Sequence, residues 1–147
     1  MSNQLQIILE QWNGSYKEKS LHLQNSQELL EVIRSMEGKH SIMLTLENQG
    51  LEHKLIISAS GNIFTVTFIA NGNEFYDLIN DPLAAGIVML VIGGQEAQYP
   101  NKYLVNIEKT FTPALEFFNT GFILINDLYW DKTGNNDAWQ QEGLVKG

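Results

Sequence analysis

Between Ile42 and Phe68 the apolar positions recur with a period of two. Ile42, Leu44 and Leu46 alternate with Met43, Thr45 and Glu47 and stop at Asn48-Gln49-Gly50. Leu55 and Ile57 carry the pattern to Ser60-Gly61-Asn62, and Phe64, Val66 and Phe68 carry it to Asn71-Gly72. Phe75 and Tyr76 open a further short strand, broken near Asp81-Pro82. Alternating runs separated by regular turn signals predict an antiparallel meander with one apolar face. Such a face must be covered, and the segment just upstream supplies the cover. There the period is helical: Leu29, Leu30, Val32, Ile33 and Met36 share one side of a helix. Asn25 is placed to cap it, Glu28 to reach back as in a capping box, and Gly38 to end it.

The flanks are read in the same way. Leu5–Leu9 predicts a first strand running into a turn at Asn13-Gly14-Ser15, after which the helix is expected directly. Ile87–Ile92 is apolar throughout, the signature of a central strand buried on both faces. It leads into Gly93-Gly94-Gln95 and then an expected loop through Tyr99-Pro100. Leu104–Ile107 predicts a short strand. Ala114, Leu115, Phe117 and Phe118 predict a second helix closed by Gly121. Pro113 leaves two placements open: a helix beginning at Pro113 with Thr112 as cap, or a longer one from Asn106 with a proline inside. The whole reads as an α+β single domain, mainly an antiparallel β-sheet meander covered by two α-helices. The domain is placed at residues 1–131, with a polar tail at 132–147 that is open to belonging to it.

Composition narrows the class. A chain of 147 residues with 44% hydrophobic and 18% charged residues is an ordinary globular domain with enough material for a core. It contains no cysteine, which excludes disulfides, thiolate metal sites and a cysteine nucleophile, and fits a reducing compartment. Met1-Ser2-Asn3-Gln4 has no basic run ahead of a signal-like apolar stretch, and Ile87–Ile92 is too short to span a bilayer. A cytoplasmic location, with no membrane partner, is expected. The net charge of −8 is uneven. Residues 1–73 hold seven acids and five bases, whereas residues 74–147 hold ten acids and four bases. An acidic half repels nucleic acid and attracts a basic protein surface, although the same excess also keeps a small domain soluble.

Candidate chemistry is sparse. His22, His40 and His53 lack partners at metal-ligand spacing. No phosphate-binding loop or nucleophile elbow is written in the chain, and no cofactor is called for. Asp77 with Asp81, and Asp127 with Asp131, are carboxylate pairs that read as solvated acidic loops. Gly93-Gly94-Gln95 is also the tripeptide of peptide-chain release factors. Those proteins need a basic RNA-gripping surface, and this segment is flanked by Glu96.

From Ile87 to Trp130, however, an ordered set of motifs accumulates. It comprises Gly93-Gly94-Gln95, Tyr99-Pro100, Val105-Asn106-Ile107-Glu108, Phe117-Phe118 with Gly121, and Leu128-Tyr129-Trp130. This set resembles the first-numbered immunity family of bacterial polymorphic toxin systems, whose members often accompany toxins of the nucleic-acid deaminase type. Pro113 departs from the family's pattern by falling inside the motif helix. The resemblance implies a non-enzymatic inhibitor that binds a cognate toxin domain and holds it inactive. Glu96, Tyr99, Asp127, Tyr129, Trp130, Asp131 and Trp139 are the candidate partner-binding residues. Gly93, Gly94, Gln95, Pro100, Phe117, Phe118 and Gly121 are the motif residues expected to act structurally. For Trp130 and Tyr99 a core or turn-stiffening role competes with the binding role. The chain is expected to be a monomer or weak homodimer when free. Two other classes stay open: a small enzyme with an unrecognised acid–base site, and a homodimeric scaffold joined at a sheet edge.

Overall fold

A computed structural model describes residues 5–12, 14–92 and 95–134. The meander is present and extended at both ends. β1 (Leu5–Trp12) pairs with β2 (Tyr16–Leu21) and with β3 (Lys39–Asn48). β4 (His53–Gly61), β5 (Ile63–Ala70) and β6 (Glu74–Leu78) follow in antiparallel order, and β9 (Trp130–Gly134) closes the far edge. The seven-stranded sheet therefore runs β2-β1-β3-β4-β5-β6-β9. β2 was not expected. Its exposed Tyr16-Lys17-Glu18-Lys19-Ser20 carries no apolar alternation, and it is defined by backbone pairing to β1. Alternating charges on such an edge discourage further strand addition. Asn71 and Gly72 turn β5 into β6 with φ of 55° and 76°, a left-handed pair that asparagine and glycine accommodate best.

One face of the sheet carries the core. Leu44, Leu46, Leu55, Ile57, Phe64 and Phe68 are fully buried there. They lie under α1 (Ser26–Met36) and α2 (Ile107–Thr120), so two helices cover the meander as the periodicity predicts. In α1, Leu29, Ile33 and Met36 point inward. Asn25 Oδ1 accepts from the Glu28 N–H at 2.9 Å. The Glu28 carboxylate reaches one residue further than a capping box requires, accepting from the Gln24 N–H at 2.6 Å.

The longer of the two placements for Pro113 is the one adopted. Asn106 Oδ1 caps α2 by accepting from the Lys109 N–H at 2.8 Å, and Pro113 sits buried inside the helix. The expected strand at Leu104–Ile107 reduces to one bridge between Val105 and Phe64, because Ile107 already begins α2. Gly121 ends α2 at φ 76°, its N–H donating to Phe117 O at 2.7 Å.

The segment Ile87–Ile92 is not a central strand. As β7 it pairs only with β8 (Gln95–Pro100), so Tyr99 and Pro100 belong to a strand instead of a loop. In the β7–β8 hairpin, β7 packs across β3 and β4, and among the residues whose burial is described none joins the helix-side core. It thus forms a third layer on the other face, where Ser58, Ser60, Thr65 and Asp77 are buried. One side of the hairpin meets solvent: Met89 is 55% exposed. Ile87 and Met89 are exposed while Val88 and Leu90 are half-buried, so the continuous apolar run does not mark two covered faces here.

β9 also includes Lys132–Gly134, so the sheet continues past residue 131. Among the described residues no helix is long and apolar enough to cross a membrane.

Candidate functional site

The strand order brings the C-terminal end of β6, the side of α2 that carries Lys109, Thr112, Pro113 and Glu116, and the segment 124–130 together around an apolar groove of about 420 Å³. Its floor is Leu78, Ile79, Pro113 and Trp130, and its rim includes Thr112, Glu116, Leu124 and Tyr129. The segment that forms one wall alternates sharply. Ile123 is fully buried and Ile125 packs against the core, while Leu124 is 78% exposed. Leu128 and Tyr129 are likewise 75% and 57% exposed.

These exposed apolar side chains are carried on an ordered turn. Asn126 Oδ1 accepts from the Leu128 N–H at 2.9 Å, and Asn126 O accepts from the Tyr129 and Trp130 N–H groups. Glu116 Oε2 accepts from the Leu124 N–H at 2.8 Å. The Ile79 N–H donates to Tyr129 O at 2.7 Å, fastening the turn to the end of β6. Holding apolar side chains in place before a partner arrives reduces the entropy that association must overcome. Of these exposed side chains, Leu124 and Tyr129 share the lining of the one groove.

The two charged side chains in the groove lining are of opposite sign, Glu116 and Lys109. The lysine that lines the groove, Lys109, donates from Nζ to Asn80 O at 3.0 Å. Lys102 is paired with Asp131 at 3.2 Å, and Lys132 is within 3.9 Å of Glu74.

A second cluster lies on the opposite sheet face. Asp77 and Asp131 are direct cross-strand partners on β6 and β9. Asp77 is only 8% exposed, so it is no solvated loop residue, and its cross-strand neighbour is Asp131, not Asp81. Its Oδ1 accepts from the Thr67 hydroxyl at 2.6 Å, whereas Oδ2 has no partner. Burial raises the Asp77 pKa above the ordinary carboxylate value, helped by the charge of Asp131 and opposed by the hydrogen bond from the Thr67 hydroxyl. Asp131 instead accepts from the Tyr103 hydroxyl at 2.8 Å and pairs with Lys102. Tyr99 packs on Ile79 and Tyr103, and burial, then the nearby Asp77, raises its hydroxyl pKa. Neither carboxylate lines the groove.

The residues singled out from sequence are thus divided among several places. Asp127 and Tyr129 share the exposed turn. Glu96 is exposed but sits on the hairpin opposite Val91. Tyr99 is half-buried in β8, and Asp131 is occupied by Tyr103 and Lys102. Trp130 is a core residue, 6% exposed, and contributes to the groove floor without projecting as an anchor.

Among the motif residues, Phe117 is fully buried, Phe118 packs against the core, Pro100 is buried and Gly121 is the left-handed cap. Gln95 pairs with Ile92. Gly93, Gly94 and Trp139 lie outside the described residues.

Sequence reasoning missed Leu124, Pro113 and Glu116 as site residues. The available signal was the unbroken run Phe122-Ile123-Leu124-Ile125, too apolar for a simple surface turn after a helix. His53 is buried, its Nδ1 accepting from the Asn71 N–H at 3.2 Å and its ring packed on Phe68 and Phe122. Among the described residues no group of three His, Cys, Asp or Glu side chains is arranged to hold a metal ion.

No family model matches the chain, and no curated protein or solved structure is significantly similar to it.

Proposed function

We propose that this protein is an immunity protein, a stoichiometric inhibitor that binds and neutralises a cognate bacterial toxin domain in the cytoplasm of the producing cell. The toxin is of a nucleic-acid-targeting type, such as a deaminase, and the inhibitor performs no chemistry of its own. The observation that carries this reading is the ordered turn at 124–129, which holds Leu124, Leu128 and Tyr129 in solvent beside an apolar groove, in the half of the chain where ten acids outnumber four bases. A nucleic-acid enzyme presents cations where phosphates bind, so a negative, pre-shaped surface is complementary to it. The ordered motifs from Gly93 to Trp130 support the same reading through their resemblance to the immunity family.

The test is genetic and biochemical together. The domain encoded immediately upstream should arrest growth when expressed alone, and co-expression of this chain should restore it. The purified pair should elute as a one-to-one complex. Failure of both association and rescue would end the proposal.

A further inference from the structure

We infer that the β7–β8 hairpin is a leaf over the outer face of the sheet, closed on the protonated carboxyl of Asp77 and released when that group ionises. The two strands pair only with each other, so among the described residues no ladder ties them to the seven-stranded sheet. A two-stranded hairpin standing alone is marginally stable, so this one depends on what lies beneath it. Val88, Leu90, Ala97 and Tyr99 are half-buried and alternate with the exposed Ile87, Met89 and Glu96. At the base of the leaf there is room to swing: Pro82, Ala84, Gly86, Ile87, Pro100 and Lys102 line a cavity of about 310 Å³.

Asp77 is buried on the covered face, and its Oδ2 has no hydrogen-bond partner. The Thr67 hydroxyl serves Oδ1, while the Thr133 hydroxyl donates to Phe75 O at 3.3 Å. Ionisation leaves a desolvated charge opposite Asp131, which has already drawn the Tyr103 hydroxyl and Lys102 to itself. Among the described residues no cation pairs with Asp77. From β8 it meets the hydroxyl of Tyr99, whose own ionisation its charge opposes. Glu47 and Lys54 share this sheet face but stand opposite each other on β3 and β4. His40 reaches the face through Ser60 Oγ, at 3.5 Å, and is itself exposed. Lys132 and Glu74 lie on the helix side, level with Tyr76.

Lifting the leaf hydrates the Asp77 carboxylate. The closed form is therefore fully favoured below the ordinary value of 3.8 and loses that advantage as pH climbs through the raised pKa of the closed state. Across that window the open population grows by up to tenfold per pH unit.

The free, full-length chain provides the test. It contains no cysteine, so Ser58→Cys, 3% exposed on β4 where β7 packs, supplies a single reporter thiol. Its alkylation rate, divided by that of free cysteine at each pH, should rise at least tenfold between about pH 4.5 and pH 8. With Asp77→Asn added, the ratio should stay flat. Amide exchange of the unmodified chain, corrected for intrinsic pH dependence, should rise likewise in β7 and β8 while the amides of Leu44, Leu46 and Leu55 stay protected. If Ser58→Cys does not fold, amide exchange with and without Asp77→Asn decides alone. A flat ratio in Ser58→Cys, an equal rise in the Asp77→Asn background, or core amides that lose protection in step with the hairpin would each overturn the leaf.

Discussion

Replacing Asp77 with asparagine should make this protein progressively more stable than its parent as pH rises. Asp77 is buried between the sheet and the hairpin layer, with Oδ2 unpartnered and Asp131 opposite it. These surroundings raise its folded pKa above the ordinary value of 3.8. Between that value and the folded pKa, the native state holds a proton that the unfolded chain has released. Stability from this group is therefore fully present below the ordinary value and is lost as pH climbs through the folded pKa.

The loss is about 1.4 kcal/mol per pH unit while one proton separates the two states. For a domain near this size that is roughly 3–5 °C of melting temperature per pH unit. Asparagine keeps the shape and an oxygen for the Thr67 hydroxyl, and it does not titrate. The stability difference between the two proteins therefore follows the proton on Asp77. Urea denaturation from pH 4 to 8 should show the stability difference opening in favour of Asp77→Asn and then levelling at the folded pKa. In an Asp131→Asn background the levelling should come at lower pH, because a charge that disfavours ionised Asp77 has gone. A difference that is flat with pH, or that closes as pH rises, would refute the account.

Phe68 is fully buried and its ring meets those of His53, Tyr76, Phe117, Phe122 and Trp130, so Phe68→Ala should cost about 3–5 kcal/mol. Calorimetry showing less than about 1.5 kcal/mol would mean the aromatic cluster is looser than its geometry. Asn106→Ala removes the acceptor for the Lys109 N–H and should cost about 1 kcal/mol, read as a lower denaturation midpoint with an unchanged slope. Gly121→Ala places a side chain at φ 76° and should cost about 1–2 kcal/mol, read as a lower denaturation midpoint.

The meander, α1 and the two-helix cover were legible in the sequence because their signals are local. A residue two or four positions away shares its face whatever the rest of the chain does. Leu44, Leu46, Leu55, Ile57, Phe64 and Phe68 could therefore be read as one buried surface, and Asn25 and Gly121 as ends of helices. β2 escaped because an edge strand of Lys17, Glu18 and Lys19 is specified by its partner's backbone and not by its own side chains.

The site was only half legible. Asp127 and Tyr129 stood out as a carboxylate and an aromatic near the end of the domain, but Glu96 and Asp131 look no different in sequence and lie elsewhere or are already paired. Burial and pairing are settled by which distant strands become neighbours. Asp77 meets Asp131 across 54 positions of chain only because β9 returns to the edge of β6. The same return sets the turn at 124–129 against α2 and opens the groove, while the hairpin β7–β8 takes the outer face and not the sheet centre. Periodicity determines which side of an element is apolar. Which surface that side meets, and what stays in solvent, is a property of long-range packing that no local pattern encodes.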